Sequence, residues 1–211
     1  MNILLIANGE IKDYEHIKRC INDYDTIYCC DGGIKHFKNL GLSPDVIVGD
    51  FDSASEIAFE KYIKTGAKIY KFSSEKDYTD TELGLRKAIE DGATNITIIG
   101  GMGRRFDHAL ANAHILAYAL EKGVAARLVD EHNDIVLIDK ELEIAGSKGD
   151  VLSLIPLTTE VVGVTITGVK YPLHNKTLKI GSSFSVSNEI TEETVKISLS
   201  SGLLFVMKAW D

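Results

Sequence analysis

The chain has 211 residues, 45% of them hydrophobic and 26% charged, with a formal net charge of -8. That length and apolar content support a sizeable core, in one large domain or two small ones. The acidic balance excludes a general nucleic-acid binder, which needs a basic field along the phosphate backbone, and no apolar run approaches the roughly 18 residues of a membrane span.

In chain order, residues 3–7 read as a buried strand, and residues 1–7 carry no basic flank that would make them a signal peptide. Residues 13–21 follow as a helix, and 26–30 as a second strand leading into a Gly-Gly turn and a short helix over 34–40. A third strand spans 46–48, a helix 54–65 closes at Gly66, and a fourth strand covers 67–72. A helix over 79–91 ends at Gly92, a fifth strand takes 95–99, and a long helix runs over 107–122. Ala109, Ala113, Leu116 and Leu120 share one face of that last helix, and Gly123 stops it. Repeated β-α-β units with apolar strands imply a parallel sheet covered on both faces. The three cysteines, Cys20, Cys29 and Cys30, form no C-x-x-C pair and suit a reducing cytoplasm, with the last two as buried strand residues.

After about residue 125 the helical spacing fades. Short β-rich segments follow at 126–129, 134–138, 142–145, 151–155, 160–167, 178–180, 184–187, 194–199 and 203–207. Gly146, Gly149, Gly163, Gly168, Gly181 and Gly202 punctuate them, which points to an antiparallel sandwich or barrel. The expected fold is an α/β N-terminal domain with a parallel sheet over 1–125, then an all-β C-terminal sandwich domain over 126–211.

Ligands of open α/β sheets bind beyond the carboxyl ends of the strands. Four loops there hold the unusual polar residues: Asp31-Gly32-Gly33, Gly49-Asp50-Phe51-Asp52-Ser53, Lys76-Asp77-Tyr78-Thr79-Asp80, and residues 100–108 with Arg104, Arg105 and Asp107. Clustered carboxylates repel one another unless a cation joins them. Oxygen ligands of this kind suit Mg²⁺, which shares its coordination with substrate phosphates. Glycines leading into a helix N-terminus suit phosphate oxygens, and a nearby arginine stabilises charge on a transferring phosphoryl group. The pattern indicates Mg²⁺-dependent phosphoryl-type transfer and leaves the acceptor unnamed.

Plainer roles compete at each position. Asp50 and Asp52 suit a turn, Asp31 a turn before Gly-Gly, and Asp107 a helix N-cap. Thr79 with Glu82 makes a capping box, with Asp80 in the first turn. His108 suits packing or a polar network, and His16, His36, His114, His132 and His174 show no zinc-like spacing.

Taken in order, these four loops resemble the motif set of the thiamine pyrophosphokinase family. The resemblance continues through Gly168-Val169-Lys170-Tyr171-Pro172-Leu173 and residues 181–188, and so covers almost the whole chain. It implies a homodimer, with ATP and Mg²⁺ bound on the α/β domain and the site combining both domains across the interface. It implies Asp50, Asp52 and Asp80 as the metal and phosphate carboxylates, and Asp31, Gly32, Asp77 and Thr79 on the nucleotide side. Arg105 and Asp107 then approach the triphosphate or the thiamine hydroxyl. Tyr171, where some members carry tryptophan, becomes the aromatic surface under the thiamine ring, and Ser185 and Ser187 offer hydroxyls to the pyrimidine. The implied reaction is in-line attack of the thiamine hydroxyl on the β-phosphorus of ATP, with AMP leaving and an aspartate as base. Two other readings stay open: an Asp-nucleophile phosphatase of the haloacid-dehalogenase type, with Asp50 as nucleophile, and a non-catalytic nucleotide or thiamine sensor.

Overall fold

The computed structural model describes residues 1–21, 24–50, 64, 66–73 and 77–210. The helix expected over 54–65 lies outside the described residues apart from Lys64, as do Phe51, Asp52, Ser53 and Lys76. The chain forms two compact units, Met1–Glu131 and His132–Asp211.

The first unit is built on six parallel strands: β1 (Asn2–Ile6), β2 (Thr26–Cys30), β3 (Val46–Gly49), β4 (Lys68–Lys71), β5 (Asn95–Ile99) and β6 (Ala125–Val129). Their order is β6-β5-β1-β2-β3-β4. The sixth strand was expected in the second half. It pairs in parallel with β5, residue for residue from Asn95 with Ala125 to Ile99 with Val129, and so completes the first sheet. Leu4, Ile6, Cys29 and Ile47 of the central strands are buried with Ile17 and Phe37 from the helices. Removing such side chains from water stabilises the fold by roughly 1.5–3 kcal/mol each for the large aliphatic and aromatic ones. β4 departs from the apolar pattern: it is an edge strand among the described residues, and its Ile69 is exposed.

Five α-helices are described in this unit: α1 (Tyr14–Cys20), α2 (Phe37–Leu40), α3 (Asp80–Glu90), α4 (Phe106–His114) and α5 (Leu116–Glu121). α2 continues a 3₁₀ turn over Asp31–His36. The single long helix expected over 107–122 is divided at Ile115. There the Tyr118 N–H bonds the Ile115 carbonyl at 3.1 Å, three residues back, which tightens one turn. The buried face accordingly runs through Asn112, Ala113, Leu116 and Ala119, and not through Ala109 or Leu120. None of the described helices is long and apolar enough to cross a membrane.

The second unit is an antiparallel sandwich. One layer orders β12 (Asn188–Glu189), β9 (Val151–Pro156), β14 (Leu204–Ala209) and β7 (Asn133–Ile138). The other orders β11 (Leu173–Lys179), β10 (Glu160–Thr167), β13 (Thr194–Ser198) and β8 (Glu141–Ala145). Alternation places Val195 and Ile197 of β13 in the core with Leu152, Leu154, Val164, Ile166 and Val206, while Lys196 points out. Two segments differ from expectation. Residues 184–187 form a turn, with Ser187 in the left-handed region at φ 59°, and not a strand. β11 begins at Leu173, well before the expected 178–180, because its exposed His174, Asn175, Lys176 and Thr177 carry no apolar alternation to reveal it.

Candidate active site

The strand order of the first sheet reverses between β1 and β5, since successive strands run outward from β1 on one side and through β5 to β6 on the other. Loops leaving such a switch point diverge and open a crevice. A cavity of about 1010 Å³ lies there, walled by the chain after β1, β2 and β5 and by the start of α3. Two glycines make this close assembly possible. A Cβ on Gly33 would overlap the Ile6 carbonyl oxygen, so the 3₁₀ turn lies flush on the end of β1. A Cβ on Gly9 would overlap the Gly100 carbonyl oxygen, so the loops after β1 and β5 touch through backbone alone.

Asp31, Gly32's neighbour in the turn, lines this cavity, as do Thr79, Asp80 and Arg105. Asp31 has φ 39°, a conformation that aspartate tolerates in turns. It is therefore a turn residue and a wall residue at once. A Cβ on Gly32 would meet the Asn8 side chain at 2.5 Å, which holds the turn against the β1 loop. Asp31 Cα lies 3.2 Å from where Gly49 would carry a Cβ, so the end of β3 abuts Asp31, and Asp50 is the next residue along the chain. Thr79 is the N-cap of α3, its hydroxyl accepting from the Glu82 N–H at 3.2 Å, and Asp80 is the first helical residue. The capping role of Thr79 thus holds, and it faces the cavity as well. Asp77 is exposed beside them and is not among the wall residues.

Arg105, and not Asp107, is the N-cap residue of α4. Asp107 instead pairs with Arg105 through two bonds, Nη2–Oδ2 at 2.6 Å and Nε–Oδ1 at 3.2 Å. Both side chains are well exposed, at 70% and 65%. The Arg105 hydrogen bond holds the Asp107 carboxyl down to about 2, and the Asp107 bond in turn raises Arg105. In free solvent this pair is weak, so the guanidinium can exchange its partner for a phosphate. The loop between β5 and α4 is anchored from behind by buried Asn112, whose Nδ2 donates to the Gly101 carbonyl at 2.7 Å. Among the described residues no group of three His, Cys, Asp or Glu stands ready to hold a metal. Asp52, one of the three expected metal carboxylates, is outside them.

The second unit carries its own cleft, of about 410 Å³, floored by Leu152, Leu154 and Ile166. Tyr171 and Phe184 line it with rings that are 64% and 67% exposed. Tyr171 is fixed by a reciprocal pair with Asn188: its N–H donates to Oδ1 at 3.0 Å and its carbonyl accepts from Nδ2 at 2.8 Å. Ser185 lines the cleft and donates its hydroxyl to the Leu154 carbonyl at 2.7 Å, which leaves its oxygen lone pairs as acceptors. Ser187 lies outside the cleft wall, and its N–H donates to Ser153 Oγ at 3.0 Å.

Sequence reasoning overlooked Asn8, Gly9, Glu10, Lys35 and Asn112 as site residues. A signal was present for the first three, since Asn8-Gly9 follows β1 as the acidic loops follow their strands. Asn112 carried none, because a lone polar residue on a helix face has no local signature.

These observations define a class: an α/β unit with a polar, carboxylate-bearing cavity at its switch point, followed by an antiparallel sandwich with an apolar, aromatic cleft. Known proteins narrow it. The family model described as "Thiamin pyrophosphokinase, catalytic domain" matches residues 17–128, and "Thiamin pyrophosphokinase, vitamin B1 binding domain" matches residues 135–204. Thiamine pyrophosphokinase of Bacillus subtilis is 31% identical over 183 residues, covering 86% of each chain. Thiamine pyrophosphokinase 1 of Oryza sativa is 32% identical over 183 residues, covering 80% of this chain and 67% of its own length. The crystal structure of the Bacillus subtilis thiamine pyrophosphokinase matches with a TM-score of 0.88 at 28% identity, over 100% of both chains. A thiamin pyrophosphokinase family protein of Enterococcus faecalis matches with a TM-score of 0.84 at 29% identity, again over 100% of both. The chain belongs to the thiamin pyrophosphokinase family, and it is an enzyme with the family's pyrophosphotransferase activity toward thiamine. Nothing in these relatives favours a phosphatase or a non-catalytic sensor.

Proposed function

We propose that the chain transfers a pyrophosphoryl group from ATP to the hydroxyl of thiamine, giving thiamine diphosphate and AMP, with ATP held in the first unit's cavity. The observation that carries this reading is the switch-point cavity itself, where glycine backbone, Asp31, Asp80 and Arg105 face one space. The thiamine hydroxyl attacks the β-phosphorus in line, and the bond from that phosphorus to the α-phosphate oxygen breaks. Arg105 releases Asp107 to bind the phosphate oxygens, and the backbone of the loop after β5 cradles them at the start of α4. An aspartate of the site accepts the hydroxyl proton.

Mg²⁺ fits the donor set. Asp31 and Asp80 line the cavity and Asp50 follows Gly49, which packs on Asp31; carboxylate oxygens of this kind suit this ion. Asp50, Asp52 and Asp80 would hold it, with Asp77, Thr79 and the Asp31-Gly32 turn on the nucleotide side. Bound there, the ion neutralises charge on the phosphate oxygens.

Thiamine is assigned to the second unit's cleft. The exposed Tyr171 ring offers a π-face to the cationic thiazolium, and Ser185 an acceptor oxygen to the pyrimidine amine. Ser187 is assigned to the same ring. A homodimer belongs to this reading, supported by the exposed Tyr171, Ile180, Phe184 and Val186, which suit burial against a second copy. A cytoplasmic location is supported by three cysteines of which none is in a disulfide. The test is an assay with thiamine, ATP and Mg²⁺, with products resolved by chromatography. Thiamine diphosphate and AMP in equal amounts are expected. ADP as the nucleotide product, or a trapped phosphoryl group on Asp50, would overturn the reading. Sedimentation of an active monomer would remove the dimer from it.

A further inference from the structure

We propose that His36, backed by Tyr14, is a positioning residue for the first unit's cavity: it grips the Gly9 carbonyl and, through Gly9, sets the backbone of the loop after β5. This rests on the reading that ATP occupies that cavity. His36 ends the 3₁₀ turn and is only 2% exposed. Both ring nitrogens are bonded, Nε2 to the Gly9 carbonyl oxygen at 2.7 Å and Nδ1 to the Tyr14 hydroxyl at 2.8 Å. A carbonyl can only accept, so Nε2 carries the hydrogen. Burial moves the His36 pKa below its usual value and keeps the ring neutral. Nδ1 is then a bare acceptor, and Tyr14 donates to it. One tautomer satisfies both contacts, and it directs a single N–H at Gly9.

Gly9 has no side chain to hold it in place, and glycine is the most permissive backbone residue. Its position is set from two sides. Its carbonyl accepts from His36, and its N–H donates to the Gly100 carbonyl at 2.7 Å. Gly103 completes the contact, since a Cβ there would come within 3.3 Å of Gly9 Cα. Lys35, next to His36, donates to the Asn8 carbonyl at 2.6 Å and to its side-chain oxygen at 2.8 Å. The turn after β2 thereby holds the loop after β1, which in turn braces the loop after β5. Asn112 braces that last loop from the helix side. His36 and Tyr14 also line the cavity, and His36 reaches the loop proposed to cradle phosphate through Gly9.

The experiment compares His36→Leu, which removes the donor, with His36→Gln, whose amide nitrogen can reach near the Nε2 position. Hydrogen exchange of the amides of Gly9 and residues 100–103 is measured in the free protein, alongside steady-state kinetics. In His36→Leu these amides should exchange faster, and kcat/KM for ATP should fall about 10- to 100-fold. The thiamine KM should stay within about twofold, and His36→Gln should recover most of the loss. If His36→Leu does not fold, Tyr14→Phe keeps the test, with an expected fall of about 2- to 10-fold. Unchanged amide exchange overturns the proposal. Faster exchange with unchanged ATP kinetics also overturns it, and ATP protection of the same amides in the parent enzyme then tells the two readings apart. Protection leaves the ATP site standing without the positioning role; its absence removes the ATP site.

Discussion

The two units shape their cavities by opposite means. In the first, backbone contacts between loops bring a polar wall together: Gly9 after β1 meets Gly100 and Gly103 after β5, Gly33 lies on the end of β1, and His36 and Asn112 tie the Gly9 and Gly101 carbonyls. In the second, the wall is side chain: aliphatic residues of the sandwich core below, and Tyr171 and Phe184 standing in solvent above. The contrast follows from the chemistry each cavity serves. Phosphate is recognised by fixed dipoles and cations, which must be pre-organised to be worth anything. An aromatic cation is recognised by a flat polarisable surface, which needs exposed rings on a firm base.

The largest expected effect tests the polar half. Asp80→Asn should lower turnover by about 10²- to 10³-fold while thermal stability and thiamine binding by calorimetry stay near those of the parent. Near-normal turnover at saturating Mg²⁺ would remove Asp80 from the chemistry.

Tyr171→Ala probes the apolar half. Losing the ring face is worth roughly 0.5–2 kcal/mol, which raises the thiamine KM about 2- to 30-fold and leaves the ATP KM almost unmoved. Tyr171→Trp should retain function. An equal rise in both KM values would mean that the two cavities are not separable in function.

A smaller change separates capping from substrate contact at Thr79. Thr79→Ala should cost about 1 kcal/mol of stability in denaturant unfolding, and Thr79→Ser should restore it. If the alanine variant unfolds like the parent, the cap seen at 3.2 Å contributes nothing.

The smallest effect concerns the Arg105–Asp107 pair. The Asp107 carboxyl, ordinarily near 3.8, is held down to about 2 by the Arg105 hydrogen bond. A depressed carboxyl pKa makes the pair's contribution present above the ordinary value and lost as pH falls through about 2. Carbon-detected NMR of Asp107 should show that midpoint, with little change in unfolding because the pair is exposed. A midpoint near the ordinary value would mean that Arg105 is already free to meet phosphate.

What the sequence determined by itself was local. Apolar runs such as Ile3-Leu4-Leu5-Ile6 marked buried strands, glycines marked the stops, and the acidic loops after strands two, three and four stood out by composition. Their family resemblance made the activity legible before any coordinates. The tertiary structure decided which of those loops meet. It gave β6 to the first sheet, because a parallel partner 30 residues away in sequence, Asn95 for Ala125, is no property of the strand itself. It turned residues 184–187 into a bend through the left-handed Ser187, where alternation alone suggested a strand. It also enlisted His36 and Asn112 at the cavity, which no spacing foretold. Periodicity and turn chemistry act over a few residues and report burial and direction. Strand order and the loops it gathers depend on pairings between distant segments, whose free energy exists only once the sheet has formed.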